Sequence, residues 1–202
     1  MHQPNQFHEQ LLAEMEKEAQ EQYVPILSRE GGHFLRWLVS LLQPRRLLEI
    51  GTAIGYSTYW LCQSLPPDGS IVTIEKDERR VERARLYLEK AGLLDRVTLL
   101  TGDAGEFLEQ AEGPFDFVFL DGPKGQYPRY LESIERLTVP GSLLVADNLY
   151  LKGLAVGNRK PIRYTTMARR LKEYRQTIME SPHWDSQLLS VGDGFALSLR
   201  RS

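Results

Sequence analysis

The stretch Arg46-Leu47-Leu48-Glu49-Ile50-Gly51-Thr52-Ala53-Ile54-Gly55-Tyr56-Ser57 decides the fold. A short apolar run, Arg46–Ile50, ends at a glycine-bearing turn that opens a helix read as Gly55–Leu65, the strand–turn–helix start of a βαβ unit. Downstream the alternation repeats. Pro66-Pro67-Asp68-Gly69 is a turn, Ile71–Glu75 a strand, and Asp77–Ala91 a helix that Gly92 ends. Val97–Leu100 and Phe115–Leu120 are further strands, the latter nearly all apolar, as a parallel strand covered on both faces requires. Helix Tyr127–Leu137 leads through Pro140-Gly141 to strand Ser142–Ala146; a helix from about Arg163 to Glu180 follows. Gln187–Val191 and Phe195–Leu199 around Gly192-Asp193-Gly194 read as a hairpin, with Asp193 in its turn. The predicted fold is α/β: a Rossmann-like, doubly wound, mostly parallel seven-stranded sheet with an antiparallel C-terminal hairpin. Residues 1–202 form one domain in this reading, a helical segment over 1–44 preceding a core over 45–202. Residues 1–30 carry six acids against Lys17 and Arg29, with Phe7, Leu11, Leu12, Met15 and Ala19 near helical spacing, and predict a helix that packs one face on its own domain or on a second subunit.

Composition narrows the function. The 202 residues carry 25 Lys+Arg against 27 Asp+Glu, a net charge of -2, so no global basic field holds a polyanion and such a partner needs a local patch. The single cysteine, Cys62, excludes a disulfide framework and a cysteine-based zinc site, fits a reducing compartment, and lies in an apolar run that predicts burial. No basic leader with an apolar core opens the chain and no apolar run reaches membrane-spanning length, so a soluble, cytoplasmic protein is expected.

In doubly wound sheets ligands bind beyond the carboxyl ends of the strands. The first turn is Gly51-x-x-x-Gly55, not the Gly-x-Gly-x-x-Gly of dinucleotide sites, which disfavours a pyrophosphate and a hydride-transferring dehydrogenase. Glu75, at the end of the second strand, can accept from both hydroxyls of a ribose, so a nucleoside without phosphates fits better. Asp121 and Asp147-Asn148 end the fourth and fifth strands, which lie side by side at one sheet edge. Two carboxylates and an amide oxygen are hard ligands for an octahedral Mg²⁺ or another divalent cation, which acidifies a substrate hydroxyl held there. Lys124 is the candidate base, since burial and a neighbouring cation both favour the neutral form of a lysine. Each residue also has a plainer reading: Asp121 as a helix cap, Asp147-Asn148 as a turn, Lys124 as a solvated side chain.

Leu48 to Ser57 resembles the S-adenosylmethionine (SAM) motif of the metal-dependent O-methyltransferases of the catechol and caffeoyl-CoA type, and the resemblance extends over residues 24–200. It implies that Glu49, Gly51 and Ser57 surround the methionine part of SAM, Glu75 the ribose and Gly102-Asp103-Ala104 the adenine, although Asp103 reads equally well as a helix N-cap. Asp121 then borders the cofactor as well as the metal, which Asp121, Asp147 and Asn148 hold, and Lys124 is the base. Val24–Leu27, Glu30-Gly31-Gly32 and Asp147-Asn148-Leu149 resemble the bacterial branch that includes an enzyme methylating 5-hydroxyuridine at the tRNA wobble position. Lys152–Arg175 holds eight bases against Glu173 alone, a local charge of +7 in the form of a phosphate-contacting patch, or of a solvated basic helix. The first expectation is therefore a tRNA anticodon partner, the second a small phenolic or catechol-like acceptor, and the third a SAM-binding module without catalysis, for which a broken metal set would be expected. Arg29, His33 and Arg36 fall near the expected acceptor entrance, and the resemblance implies a homodimer.

Overall fold

The structure, a computed structural model, describes residues 6–147, 162–192 and 194–202. In chain order the elements are α1 (Gln6–Glu21), α2 (Arg29–Leu42), β1 (Arg46–Ile50), α3 (Tyr56–Cys62), β2 (Ser70–Glu75), α4 (Glu78–Lys90), β3 (Val97–Thr101), α5 (Ala104–Gln110), β4 (Phe115–Leu120), α6 (Tyr127–Arg136), β5 (Thr138–Ala146), α7 (Ile162–Glu180), β6 (Trp184–Leu189) and β7 (Phe195–Arg200). The seven strands form one sheet in the order β3-β2-β1-β4-β5-β7-β6. β1 to β5 run parallel and β7 pairs antiparallel with both β5 and β6, the doubly wound sheet and hairpin expected of the sequence.

Strand alternation divides the core in two. Phe117 and Phe119 of β4 point to the side covered by α1, α2, α3 and α4, while Val118 and Leu120 point to the side covered by α5, α6 and α7. Because β4 is covered on both faces, its last four residues are fully buried. Cys62 is buried in the first cluster, and burial pushes its thiol up to about 12, so it packs as an apolar side chain. Among the described residues no helix is long and apolar enough to cross a membrane.

The N-terminal segment departs from the expectation of one helix over residues 1–30. Pro25 lacks an amide hydrogen and turns the residue before it toward extended backbone, so α1 stops at Glu21. α2 then starts afresh, with Ser28 accepting from the Gly31 amide at 3.1 Å as N-cap. α1 packs on its own domain: Leu11, Leu12, Met15 and Ala19 are buried on the first cluster. Burying each large side chain contributes roughly 1.5–3 kcal/mol. The ion pairs of its other faces, Glu18 with Arg83 and Glu14 with Lys90, are partly exposed and contribute at most about 1 kcal/mol each, so apolar packing decides the docking.

Smaller differences lie at element ends. α3 closes at Cys62, three residues before Leu65. β5 begins at Thr138 and carries Pro140-Gly141 inside it, where the pairing with β4 shifts register between Phe115 and Phe117. β6 starts at Trp184, whose indole donates to Glu135 at 2.9 Å.

Candidate functional site

The parallel strand ends meet at a cavity of about 480 Å³. Gly51, Glu75, Asp103, Ala104, Asp121 and Lys124 line it, and Pro25, Ile26 and Met167 close it from the α1–α2 link and α7.

The turn after β1 crosses this cavity as backbone. The Gly51 amide donates to the Ile74 carbonyl at 3.0 Å, and φ of Gly51 is +102°, a conformation that glycine tolerates. A Cβ there would stand 2.5 Å from the Asp121 carbonyl oxygen, so the residue type is fixed by close approach as well as by φ. The Glu75 carboxylate anchors the same turn: Oε2 accepts from the Ala53 amide at 3.0 Å and Oε1 from the amides of Lys76 (2.8 Å) and Asp77 (3.0 Å). Glu75 thus arrives at the cavity wall with its orientation set by three backbone donors.

Glu49 and Ser57 are not among the lining residues. Glu49 is fully buried; its Oε1 accepts from Ser57 Oγ at 2.6 Å, and its Oε2 from Thr58 Oγ1 at 2.5 Å and Thr73 Oγ1 at 2.6 Å. Burial, with the charge of Asp121 adding to it, outweighs these three hydroxyls and pushes the carboxyl up to about 7. The network ties β1, β2 and the start of α3 together directly behind the turn. Asp103 combines both of its sequence readings. It caps α5 through the Gly105 amide at 2.9 Å while facing the cavity, and Lys76 at 3.0 Å, with that amide, holds its carboxyl below the usual range.

β4 and β5 place the two aspartates side by side. Leu120 pairs with Ala146 in register, so the next residue of each strand, Asp121 and Asp147, stands at the same level. The Asp121 amide donates to the Ile50 carbonyl at 2.9 Å and the Asp147 amide to the Leu120 carbonyl at 3.1 Å. Asp147 is 2% exposed. Lys124 reaches back across the turn, its Nζ 2.5 Å from Asp121 Oδ1 and 2.8 Å from the Tyr127 hydroxyl. Tyr127 is fully buried, and burial first, then the charges of Asp121 and Asp147, push its phenol well above the usual range, so the hydroxyl keeps its proton. Two carboxylates on adjacent strand ends are a hard, anionic donor pair that fits a divalent cation such as Mg²⁺. Asn148, the third expected donor, lies outside the described residues, as do Asp193 and the part of the basic segment between 152 and 161.

Arg29 does not stand free at an acceptor entrance. Its guanidinium pairs with Glu9 at 2.6 Å and Glu16 at 2.8 Å, fastening α2 to α1. His33 lies against Trp60 with ring centroids 4.6 Å apart. Lys76, Arg80, Tyr130 and Met167 line the cavity without having been singled out in the sequence. For Lys76 a signal existed, its place directly after Glu75; Met167 reaches the site only through tertiary packing.

A sequence profile of the O-methyltransferase family matches residues 3–201. The catechol O-methyltransferase of Mycobacterium tuberculosis is 37% identical over 181 residues, covering 87% of this chain and 80% of that one. A catechol O-methyltransferase of Niastella koreensis is 39% identical over 131 residues, 63% of this chain and 59% of that one. Among solved structures, an O-methyltransferase from Bacillus cereus in complex with SAH superposes with a TM-score of 0.85 at 31% identity, covering 98% of this chain and 92% of that one. An O-methyltransferase from Streptomyces achromogenes involved in tomaymycin synthesis, in complex with SAM, gives a TM-score of 0.83 at 29% identity, covering 99% and 92%.

Proposed function

The chain belongs to the O-methyltransferase family, and from that premise we propose that it methylates a hydroxyl standing beside a second oxygen, with 5-hydroxyuridine at the tRNA wobble position as its acceptor and a divalent cation, Mg²⁺, at Asp121, Asp147 and Asn148. The observation that carries this reading is the array of Asp121, Lys124 and Asp147 at adjoining strand ends, with Asp121 and Lys124 on the wall of the cavity that Glu75 also lines. A cation bound there supplies charge that acidifies the neighbouring hydroxyl. The chain supplies the rest. Glu75, aimed by three backbone amides, is placed to accept from the ribose hydroxyls of SAM, and Gly51 and Asp103–Ala104 form the wall for the remainder of the cofactor. Lys124 takes the acceptor proton: the O–H bond breaks toward its Nζ lone pair, and a new N–H bond forms. The oxygen's electron pair then forms the O–CH₃ bond as the C–S bond of SAM breaks, and its electrons return to sulfur to leave a neutral thioether. Orientation of the two reactants in this cavity accounts for most of the acceleration, because both arrive pre-aligned.

The tRNA reading is supported by the excess of eight bases over one acid between Lys152 and Arg175, of which Arg169, Arg170, Lys172 and Arg175 lie on α7, the helix that also sends Met167 to the cavity. A second reading, a small catechol-like acceptor, is supported by the names of the two bacterial relatives, and a catechol has the same pair of adjacent oxygens. Methyl transfer from labelled SAM to a 5-hydroxyuridine-bearing tRNA and to catechol, in parallel, with Mg²⁺ and with EDTA, separates them. Mg²⁺-dependent labelling of the tRNA that is lost on charge reversal at Arg169 and Arg170 is the expected result. Labelling of catechol alone would replace the first reading by the second.

A further inference from the structure

Tyr127 follows Lys124 by three residues and opens α6 with its side chain fully buried, edge-on to Tyr174 at a centroid distance of 5.3 Å. Its hydroxyl faces two carbonyl oxygens, Leu120 at 2.8 Å and Asp147 at 3.5 Å. Carbonyls only accept, so the one hydroxyl proton is committed to Leu120 and the phenol oxygen is left to accept. It accepts from Lys124 Nζ at 2.8 Å, while a second N–H of Lys124 goes to Asp121 Oδ1 at 2.5 Å. The nitrogen is tetrahedral. One vertex is Cε, two are held by Tyr127 and Asp121, and the fourth carries a proton in the ammonium form and the lone pair in the amine.

We propose that Tyr127 is a positioning residue for methyl transfer: its hydroxyl fixes the rotation of the Lys124 amine so that the fourth vertex is presented to the acceptor hydroxyl. This rests on the reading of Lys124 as the acceptor's base. With Asp121 alone as an anchor the amine can turn about its last side-chain bonds, and its lone pair loses the one direction from which it can take the proton. The tyrosine touches neither substrate nor cofactor in this account and acts through the lysine. The Leu120 carbonyl, which ends β4 one residue before Asp121, accepts from both the Asp147 amide at 3.1 Å and the Tyr127 hydroxyl, so the phenol's proton has a fixed acceptor.

The test is Tyr127→Phe in the full chain, which keeps the ring and its contact with Tyr174 and removes only the oxygen. The first readout needs no acceptor. With lysine labelled at Cε, the two diastereotopic Cε hydrogens of Lys124 give well-separated NMR signals when the end of the side chain is held in one rotamer and nearly coincident ones when it samples several; well-separated signals are expected in the parent chain and nearly coincident ones in the variant. The second readout is turnover of labelled SAM with Mg²⁺ and whichever acceptor, the 5-hydroxyuridine-bearing tRNA or catechol, the parent chain methylates. Tyr127→Phe is expected to lower kcat by about 10- to 100-fold with the KM for SAM changed less than about 3-fold, a part of the roughly 100- to 10,000-fold that proton-transfer catalysis supplies. The double variant Tyr127→Phe/Lys124→Ala is expected to be no slower than Lys124→Ala, since residues that act through one another are not additive. Well-separated Cε signals retained in the variant overturn the proposal, and so does a double variant that shows the full product of the two single losses. Full turnover in Lys124→Ala instead removes the base reading itself, and the NMR comparison then still decides whether Tyr127 holds the amine.

Discussion

Glu49 offers a prediction whose size follows from its surroundings. Its carboxyl is fully buried among Ser57, Thr58 and Thr73, and burial pushes it from the ordinary 4.5 up to about 7. The folded chain therefore holds this proton more tightly than the unfolded chain. The resulting stability is fully present below about pH 4.5 and is lost as pH rises through about 7. At about 1.4 kcal/mol per pH unit the full span amounts to roughly 3 kcal/mol, and the part that falls between pH 5 and pH 8.5 is about 2.5 kcal/mol. Glu49→Gln keeps the shape and one acceptor oxygen but does not titrate, so the variant should be free of this loss. Thermal melts of both proteins in buffer without divalent cations, at pH 5 and at pH 8.5, test it. For a chain of this length the melting-temperature gap between variant and parent should move by roughly 5–10 °C in the variant's favour at the higher pH. A gap equal at the two pH values would show that Glu49 does not change protonation in the folded state over this range, and the account of its burial would be wrong.

Other consequences can be measured as simply. Gly51→Ala sets a methyl carbon 2.5 Å from the Asp121 carbonyl oxygen at a φ of +102°, which should cost about 1–3 kcal/mol of stability and abolish SAM binding in calorimetry. Glu75→Gln should weaken SAM binding by roughly 10-fold or more, the worth of one charge-assisted hydrogen bond, and a binding constant unchanged by calorimetry would remove Glu75 from the cofactor site. Gly32→Ala would put its Cβ within 2.5 Å of the Trp60 indole, packed under α2, and overpacking of that kind should cost about 1–3 kcal/mol in a denaturant titration.

Much of the fold was legible in the sequence because the parallel strands are short apolar runs ending in glycine or an acid, as at Ile50-Gly51, Ile74-Glu75 and Leu120-Asp121. A buried parallel strand has no polar face to confuse the pattern. The N-terminus was less legible: the helical spacing of Leu11 to Ala19 is genuine, but the break at Pro25 and the restart at Ser28 are local signals that composition overrode. The partners of its acids, Arg83 and Lys90, lie more than sixty residues away and leave no mark in local sequence. At the site, the residues after each strand could be picked out because topology sends strand ends to one edge. What could not be read was division of labour. Glu49 and Ser57 turn inward to a buried network instead of lining the cavity, and Tyr127 earns its place only through a carbonyl seven residues earlier in the chain. Asp103 shows why two readings of one residue can both hold, since a capping carboxylate still presents its outer edge to a cavity.

The central claim, that Asp121 and Asp147 hold the cation that makes an acceptor hydroxyl reactive beside SAM, is tested most directly by Asp147→Asn. Turnover of labelled SAM should fall by at least about 100-fold and its Mg²⁺ dependence should weaken, while SAM binding by calorimetry stays within about 3-fold of the parent, because Asp147 is not on the wall that Glu75 and Gly51 form. Turnover that is unchanged in this variant, and equally unchanged by EDTA in the parent chain, would contradict the account.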